Sequence, residues 1–148
     1  FTNNKKDVFY SKIIDEKYPN YNAVIPKENP LVLKASKNEM LNNIKAASIA
    51  TNKNTNQISL SLSEGKVYFK SVNQPESKTV YAPLKSAQYS GEEVSIGFNF
   101  IYLKEAVSKY SNEEIIFTFK DSLSATLFLP KINNQKTIIL LMPVRIND

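Results

Sequence analysis

The chain has 148 residues, 42% of them hydrophobic, and carries a net charge of +5 from 19 Lys and Arg against 14 Asp and Glu. This length predicts one domain with part of a neighbour, and the longest apolar run, at 138–142, is too short to span a membrane. Because the sequence has no Cys, no His and only three glycines, it lacks the residues for thiolate or histidine catalysis, zinc–sulfur sites and glycine-rich phosphate loops. We therefore expect a non-catalytic binding module that needs no cofactor or metal.

The N-terminal part of the chain is predicted to belong to a preceding domain and a linker. Residues 8–14 are rich in β-branched and aromatic side chains, which predicts a strand. Pro19, Pro26 and Pro30 then favour extended backbone that cannot complete a ladder. We interpret the chain as a piece of a longer protein. Its expected division is residues 1–18 for the tail of the preceding domain, 19–30 for an interdomain linker and 31–148 for the C-terminal domain.

A first helix is predicted from Ser36, which would form a capping box with Glu39. Apolar and small residues recur at helical spacing, while Ile49 falls on the polar face of the same helix. An Asn-rich turn should end the helix at 51–54. The predicted core face is Met40, Leu41, Ile44, Ala47 and Ser48.

Several strands and a second helix follow in the sequence. A half-buried strand at 58–63 turns at Glu64-Gly65 into 67–70, and 79–87 should form an edge strand because it contains Pro83. After a short strand at 92–97, Asn99 is expected to cap a helix whose buried residues are Leu103, Ala106, Val107 and Tyr110. Strands at 115–119, 123–129 and 137–142 complete an α+β fold of antiparallel sheets with two helices on one side.

Two sequence patterns that could indicate catalysis are better explained by the predicted secondary structure. Ser63 and Lys66 match the S-x-x-K pattern of serine acyl enzymes, but the predicted hairpin turn separates them. The adjacent carboxylates at 92–93 and 113–114 would point to opposite faces of a strand. The lysines are spread along the sequence, and those on the helices could form either a weakly positive surface or ordinary solubilising charge.

The apolar stretch at 140–146 has two possible explanations. It could close the core, or it could form one wall of a surface groove for an apolar peptide, with Met142 as an adaptable side chain. Pro19, Val24 and Leu123 are the expected neighbours in the groove.

Four segments of the chain have patterns that resemble one known family. They read YPNYNAVIP at 18–26, YSGEEVSIGFN at 89–99, DS at 121–122 and MPVRI at 142–146. These are similar, in the same order, to the (F/Y)-P-x-Y-x-x-V-(I/L)-P linker, the Y-x-G-x-x-(x)-x-I-G-F-N block, the T-D-S-type turn and the M-P-(M/V)-R-(L/I) terminus of the bacterial DNA polymerase III beta subunit family, the sliding clamps.

The resemblance implies a fold and a function. It implies the third of three similar clamp domains, in a head-to-tail homodimer ring that encircles duplex DNA without sequence preference and acts as a non-catalytic processivity factor in DNA replication. Its partners would be the DNA polymerase III alpha subunit, the clamp loader, other polymerases and repair proteins, which dock through short linear motifs. The expected location is the bacterial cytoplasm, at the nucleoid, with no membrane contact.

The resemblance also implies roles for individual residues. Lys45, Lys104 and Lys109 would face DNA, and Ile49 and Ala50 would lie in the dimer interface. Ala23 and Thr55 depart from the Arg and the aromatic residue that the family often has, and both changes remove contact surface. The implied peptide-binding groove comprises Pro19, Ala23, Val24, Thr55, Asn99, Tyr102, Leu123, Ala125, Leu140, Leu141, Met142, Pro143, Val144, Arg145 and Ile146.

Other functions are also considered. The main alternative is a stand-alone peptide-binding module unrelated to replication. A hydrolase of unfamiliar type is disfavoured by the missing His and Cys. A sequence-specific DNA binder is disfavoured because neither predicted helix offers an Arg to read bases; Arg145 is the sole arginine of the chain.

Overall fold

The structure is a computed structural model that describes residues 2–3, 7–8, 10–130 and 137–146, and all elements named below lie in that part of the chain. The helices are Lys37–Ser48 (α1) and Phe100–Ser108 (α2), with short 3-10 turns at Tyr21–Ala23 and Gln74–Glu76. The strands are Thr2–Asn3 (β1), Asp7–Val8 (β2), Leu31–Ser36 (β3), Gln57–Ser63 (β4), Lys66–Asn73 (β5), Lys78–Pro83 (β6), Gln88–Ser90 (β7), Val94–Asn99 (β8), Glu114–Phe119 (β9), Thr126–Pro130 (β10) and Ile139–Leu141 (β11).

The strands form two larger antiparallel sheets. One has the order β11-β10-β9-β3-β7 and the other the order β6-β5-β4-β8, while β1 pairs only with β2. Helix α1 contacts α2 and the four-stranded sheet, and α2 contacts β8 and β11. This architecture confirms the predicted α+β class. Within the described residues, neither helix is long and apolar enough to cross a membrane.

Alternating side chains build the core between the sheets and the helices. Ile58, Leu60 and Leu62 of β4 are each 1% exposed, while the serines between them are half-buried on the other face of the sheet. The rings of Phe117 and Phe128 pack with their centroids 4.2 Å apart on neighbouring strands. Because successive side chains of a strand point to opposite faces, each sheet has an inner face towards the core and an outer face.

The prediction missed strand β3, which is an interior strand of the five-stranded sheet. It pairs with β7 on one side and β9 on the other, and Leu33 and Ala35 are buried there. The six-residue strand follows directly after Pro30 and runs straight into α1, so its alternation was too short to separate it from the linker.

The predicted capping box at the start of α1 is wrong. The Ser36 side chain makes no capping hydrogen bond. The Glu39 carboxylate instead accepts hydrogen bonds from the backbone N–H groups of Lys85 and Ser86, at 2.7 and 2.8 Å. A tertiary contact between α1 and the loop after β6 has thus replaced the local one. Burial acts to raise the pKa of Glu39, but the hydrogen bonds from Ser86 and Lys85 outweigh it and lower that pKa.

Other predicted elements are confirmed. Gly65 adopts a left-handed φ of +70° in the β4–β5 turn, and Ser63 Oγ donates to the Lys66 carbonyl there, so these two residues belong to a hairpin. Asn99 caps α2, since its Oδ1 accepts from Ile101 N at 3.0 Å. The buried residues of α2 are Leu103, Ala106 and Val107, as predicted, and Tyr110 is buried two residues after the helix ends.

Some strand boundaries differ from the predicted ones. Residues 10–14 are exposed and lie outside any strand, although a strand was predicted at 8–14; Phe9 is outside the described residues. The edge strand β6 ends at Pro83, because proline offers no N–H for the ladder, and Gln88–Ser90 forms β7 in the other sheet. Residues 123–125 belong to a turn rather than to the strand that follows.

Candidate functional site

The C-terminal segment, residues 139–146, joins the two sheets. Strand β11 is the edge strand of the five-stranded sheet, next to β10. Three residues further on, Val144 N donates to Gly97 O of β8 at 2.9 Å, and the two residues form an antiparallel bridge at the edge of the four-stranded sheet. Part of the apolar tail therefore closes the fold, as the first of the two explanations proposed.

The bridge depends on the absence of a side chain at residue 97. A Cβ added to Gly97 would overlap the carbonyl oxygen of Val144 and lie 3.0 Å from Cγ1 of Ile146. Gly97 pairs with Ser59 of β4, so the C-terminal segment covers the outer face of this sheet. Glycine is required here for close approach, and the I-G-F-N pattern has this physical meaning.

The segment is only partly covered, which leaves room for the second explanation. Met142 is 57% exposed and Arg145 is exposed, whereas the other described residues from Ile139 to Ile146 are half-buried. An exposed Met flanked by half-buried apolar side chains is typical of a surface that a partner can cover.

The β9–β10 turn presents a second exposed apolar residue, Leu123. Asp121 Oδ1 accepts from the backbone N–H groups of Leu123 and Ser124, and these bonds, with that of the Ser124 hydroxyl, hold the pKa of Asp121 below its usual range. The turn leaves Leu123 56% exposed. Because Thr126 pairs with Leu141, the preceding residue Ala125 lies at the same end of the ladder as Met142.

Ala125 itself contributes little to this surface. Its side chain is only 8% exposed, so it offers little surface of its own, and its place in the groove stays a prediction. The strand alternation fails at this position: Ala125, Thr126, Leu127 and Phe128 are all buried, because β10 is covered on both faces.

The linker is attached to the same turn through Asn29. The Asn29 side-chain amide donates to the carbonyls of Thr118 and Ala125, at 3.0 and 3.2 Å. Further back, Pro19, Ala23 and Val24 are exposed and take part in hydrogen bonds within their own turn. The structure thus fixes the end of the linker beside Ala125, but the hydrogen bonds of Pro19, Ala23 and Val24 do not link them to the C-terminal segment.

A second group of predicted residues meets at the start of α2. Asn99 pairs with Gln57, and Phe100 N donates to Asn56 O at 2.9 Å, which brings the turn containing Thr55 to the N-terminus of α2. Tyr102, one turn into α2, is 60% exposed. The bridge at Gly97 lies two residues before Asn99, so the C-terminal segment runs from the Leu123 turn toward this group.

A buried tyrosine supports the strands that carry the C-terminal segment. Tyr110 is 3% exposed, and its hydroxyl donates to Phe128 O of β10 at 2.6 Å. Burial raises the pKa of Tyr110, which therefore remains a neutral hydrogen-bond donor. This contact ties the end of α2 to β10, and β10 in turn carries β11.

The residues predicted to face DNA or a second copy are also located. Lys45 of α1 and Lys104 and Lys109 near α2 are exposed, and Lys109 Nζ lies 3.8 Å from the Glu105 carboxylate. Ile49 is 79% exposed at the end of α1. Ala50 is 1% exposed, so its side chain has no surface for a partner, and its assignment to an interface is corrected.

The sequence and fold of the chain were compared with those of known proteins. A profile of the family described as DNA polymerase III beta subunit, C-terminal domain, matches residues 22–145. The chain belongs to this family. The match covers most of the described domain and includes the linker turn and the C-terminal segment.

Individual relatives agree with the family match. The chain is 27% identical over 138 residues to the beta sliding clamp of Pseudomonas aeruginosa and 29% identical over 143 residues to that of Bacillus subtilis. These alignments use 93% and 95% of this chain but only 37% of each relative. The chain thus spans about 37% of the length of the sliding clamps it matches.

Solved structures agree as well. The DNA polymerase sliding clamp from Pseudomonas aeruginosa superposes with a TM-score of 0.84 at 26% identity, over 92% of this chain and 37% of that one. A DnaN sliding clamp from Bartonella birtlesii, bound to griselimycin, superposes with a TM-score of 0.83 at 29% identity, over 92% and 36%. The predicted sliding-clamp fold is confirmed.

The structure also contains a cavity that the sequence analysis missed. It has a volume of about 520 Å³ and is bordered by the outer face of β4 and β5, the turn after α1 and Ile146. It shares Thr55 and Ile146 with the predicted groove, but Lys70, Val72 and Gln74 are new. No short motif marks these residues, because they come together only through strand pairing.

Proposed function

We propose that this chain is the C-terminal domain of a non-catalytic processivity clamp, with a surface groove along residues 139–146 that docks short apolar peptide motifs. The observation that carries the proposal is the half-covered C-terminal segment in a domain of the beta subunit family. The proposed domain division is residues 1–18, 19–30 and 31–148.

The groove has two ends that suit different parts of a peptide. At one end, Leu123 and Met142 expose apolar side chains near the anchored end of the linker, and Val24 is proposed to complete the wall. At the other, Thr55 and Ile146 border the same cavity, and Tyr102 is exposed in the first turn of α2. Two or three apolar anchors at about 1.5–3 kcal/mol each would give micromolar docking after the cost of association.

The helices are proposed to face duplex DNA. Lys45, Lys104 and Lys109 are exposed and widely spaced along the chain, which suits weak, salt-sensitive contact with phosphates instead of tight binding. In the assembled ring, retention on DNA would come from encirclement, and a docked polymerase would benefit from a high effective concentration. The exposed Ile49 is proposed as an apolar contact with the next protomer. The whole protein would act in the bacterial cytoplasm, and its partners would be the replicative polymerase, the clamp loader and repair proteins.

A peptide titration tests the proposal against a peptide module unrelated to replication. A Gln-x-x-Leu-Phe-type peptide added to the ¹⁵N-labelled chain should shift amide resonances at residues 123–125 and 138–146, while the same peptide with Leu and Phe replaced by Ala should not. No binding of the first peptide at about 1 mM, where a site of millimolar Kd would be half occupied, would favour the unrelated module.

A further inference from the structure

The cavity beside the groove has a lining that could bind an anion. Among the described residues that line it, Lys70 is the one charged side chain, and the polar lining includes Asn52, Gln57 and Gln74. Val72 and Ile146 add apolar surface. A lining with one cation, several amides and no carboxylate suits a carboxylate on an aliphatic stem.

Lys70 is held on the outer face of the sheet by strand alternation. Its neighbour Ser71 points inward, where its hydroxyl donates to Ala47 O of α1 at 2.6 Å, so the Lys70 side chain lies on the opposite face. Lys70 pairs across the ladder with Ser59, and Ser59 in turn pairs with Gly97, beneath the C-terminal segment. Lys70 on β5 is therefore separated by the single strand β4 from β8, which pairs with Val144.

Within residues 10–130 and 137–146, no acidic side chain forms an ion pair with Lys70. The ion pairs in the described part of the chain join Lys78 to Glu76 at 2.7 Å and Lys109 to Glu105 at 3.8 Å. Glu76 follows the cavity residues Gln74 and Pro75 in sequence, but Lys78 already neutralises it. A half-buried lysine without a carboxylate partner gains more from an incoming anion than a fully exposed one does.

We propose that this cavity extends the docking groove and accepts an acidic residue that flanks the apolar motif of a docking peptide. This inference rests on the proposed function, because the cavity is continuous with the groove through Thr55 and Ile146. The apolar motif would provide most of the affinity, and the carboxylate paired with Lys70 would select among peptides that share it. Acidic flanks would thus distinguish strong partners of this clamp from weak ones.

The test compares matched peptides on the full chain. All four peptides carry the same Gln-x-x-Leu-Phe-type motif. In the first pair, either Glu or Gln occupies the two positions after the motif; in the second pair, either Glu or Gln occupies the two positions before it. Together the pairs test both directions in which a docked peptide could run along the groove. For one pair we expect the Glu peptide to bind roughly 3- to 10-fold more tightly by calorimetry, and the preference should shrink at high salt.

Variants of the same strand provide the controls. Lys70→Gln should abolish the preference for Glu, Lys70→Arg should retain it, and Lys66→Gln should leave it unchanged, since Lys66 lies on β5 outside the cavity lining. Equal binding of Glu and Gln peptides in both pairs, or a preference that persists in Lys70→Gln, would overturn the inference. Failure of all four peptides to bind would instead overturn the groove itself.

Discussion

The two methionines of the chain offer a matched test of the groove. Met142 is 57% exposed in the C-terminal segment, whereas Met40 is 0% exposed in the core face of α1. Fully burying a Met side chain contributes about 1.5–3 kcal/mol, so a peptide that covers the exposed part of Met142 gains about 1–1.7 kcal/mol. Met142→Ala should therefore weaken a Gln-x-x-Leu-Phe-type peptide by roughly 5- to 20-fold in Kd.

The same substitution should affect the free energy of unfolding differently at the two positions. Met142→Ala should leave the free energy of unfolding nearly unchanged, while Met40→Ala should lower it by about 2–5 kcal/mol because it leaves a cavity in the core. Met142→Asp should weaken the peptide further, since docking would then bury a carboxylate with no cationic partner.

Two measurements on each variant decide the outcome. Calorimetry gives the Kd of the peptide, and urea unfolding followed by circular dichroism gives the stability. A Met142→Ala variant that loses as much stability as Met40→Ala would identify Met142 as core, and an unchanged Kd would mean that the peptide docks elsewhere. Either result would refute the reasoning from exposure.

Two further predictions concern the contacts that hold the site and α1. Gly97→Ala should displace Val144 from its bridge without unfolding the domain, seen as faster hydrogen exchange at 139–146; unchanged exchange would contradict the close approach. Since the folded-state pKa of Glu39 is lowered by hydrogen bonds from Ser86 and Lys85, its contribution to stability is present above its unfolded pKa of about 4.3 and lost as pH falls through the folded value. Glu39→Gln should thus lose less stability than the original chain between neutral pH and about pH 3.5 in urea unfolding; an equal loss would contradict this.

Local patterns in the sequence were sufficient to predict most of the helices and strands. Alternation around Ile58 and helical spacing around Leu103 predicted buried residues correctly, because each pattern reflects one face turned to the core. The prediction failed where a tertiary contact competes with a local one. Glu39 has the spacing of a capping box, yet its carboxylate accepts hydrogen bonds from the backbone of Lys85 and Ser86. No local sequence pattern indicates which of these contacts forms.

The site was predicted less evenly than the fold. The exposure of Met142 and Leu123 agrees with their predicted place in a groove, because an apolar tail without a matching core position has to remain at the surface. The burial of Ala50 and Ala125 could not be foreseen, since a small side chain fits either a core or an interface. Lys70 was missed because its role depends on which strands are neighbours.

The pairing of β3 with two later strands has a consequence for the order in which the domain folds. The strands β4, β5 and β6 follow one another along the chain and pair as successive neighbours, so their ladders close only short loops. Strand β3 precedes these three strands in the sequence but pairs with β7 and β9, which are synthesised much later. Contacts between segments far apart in sequence form slowly. During translation, the amides of the four-stranded sheet should therefore become protected from hydrogen exchange first. Strand β3 should remain unpaired until β7 and β9 have been synthesised.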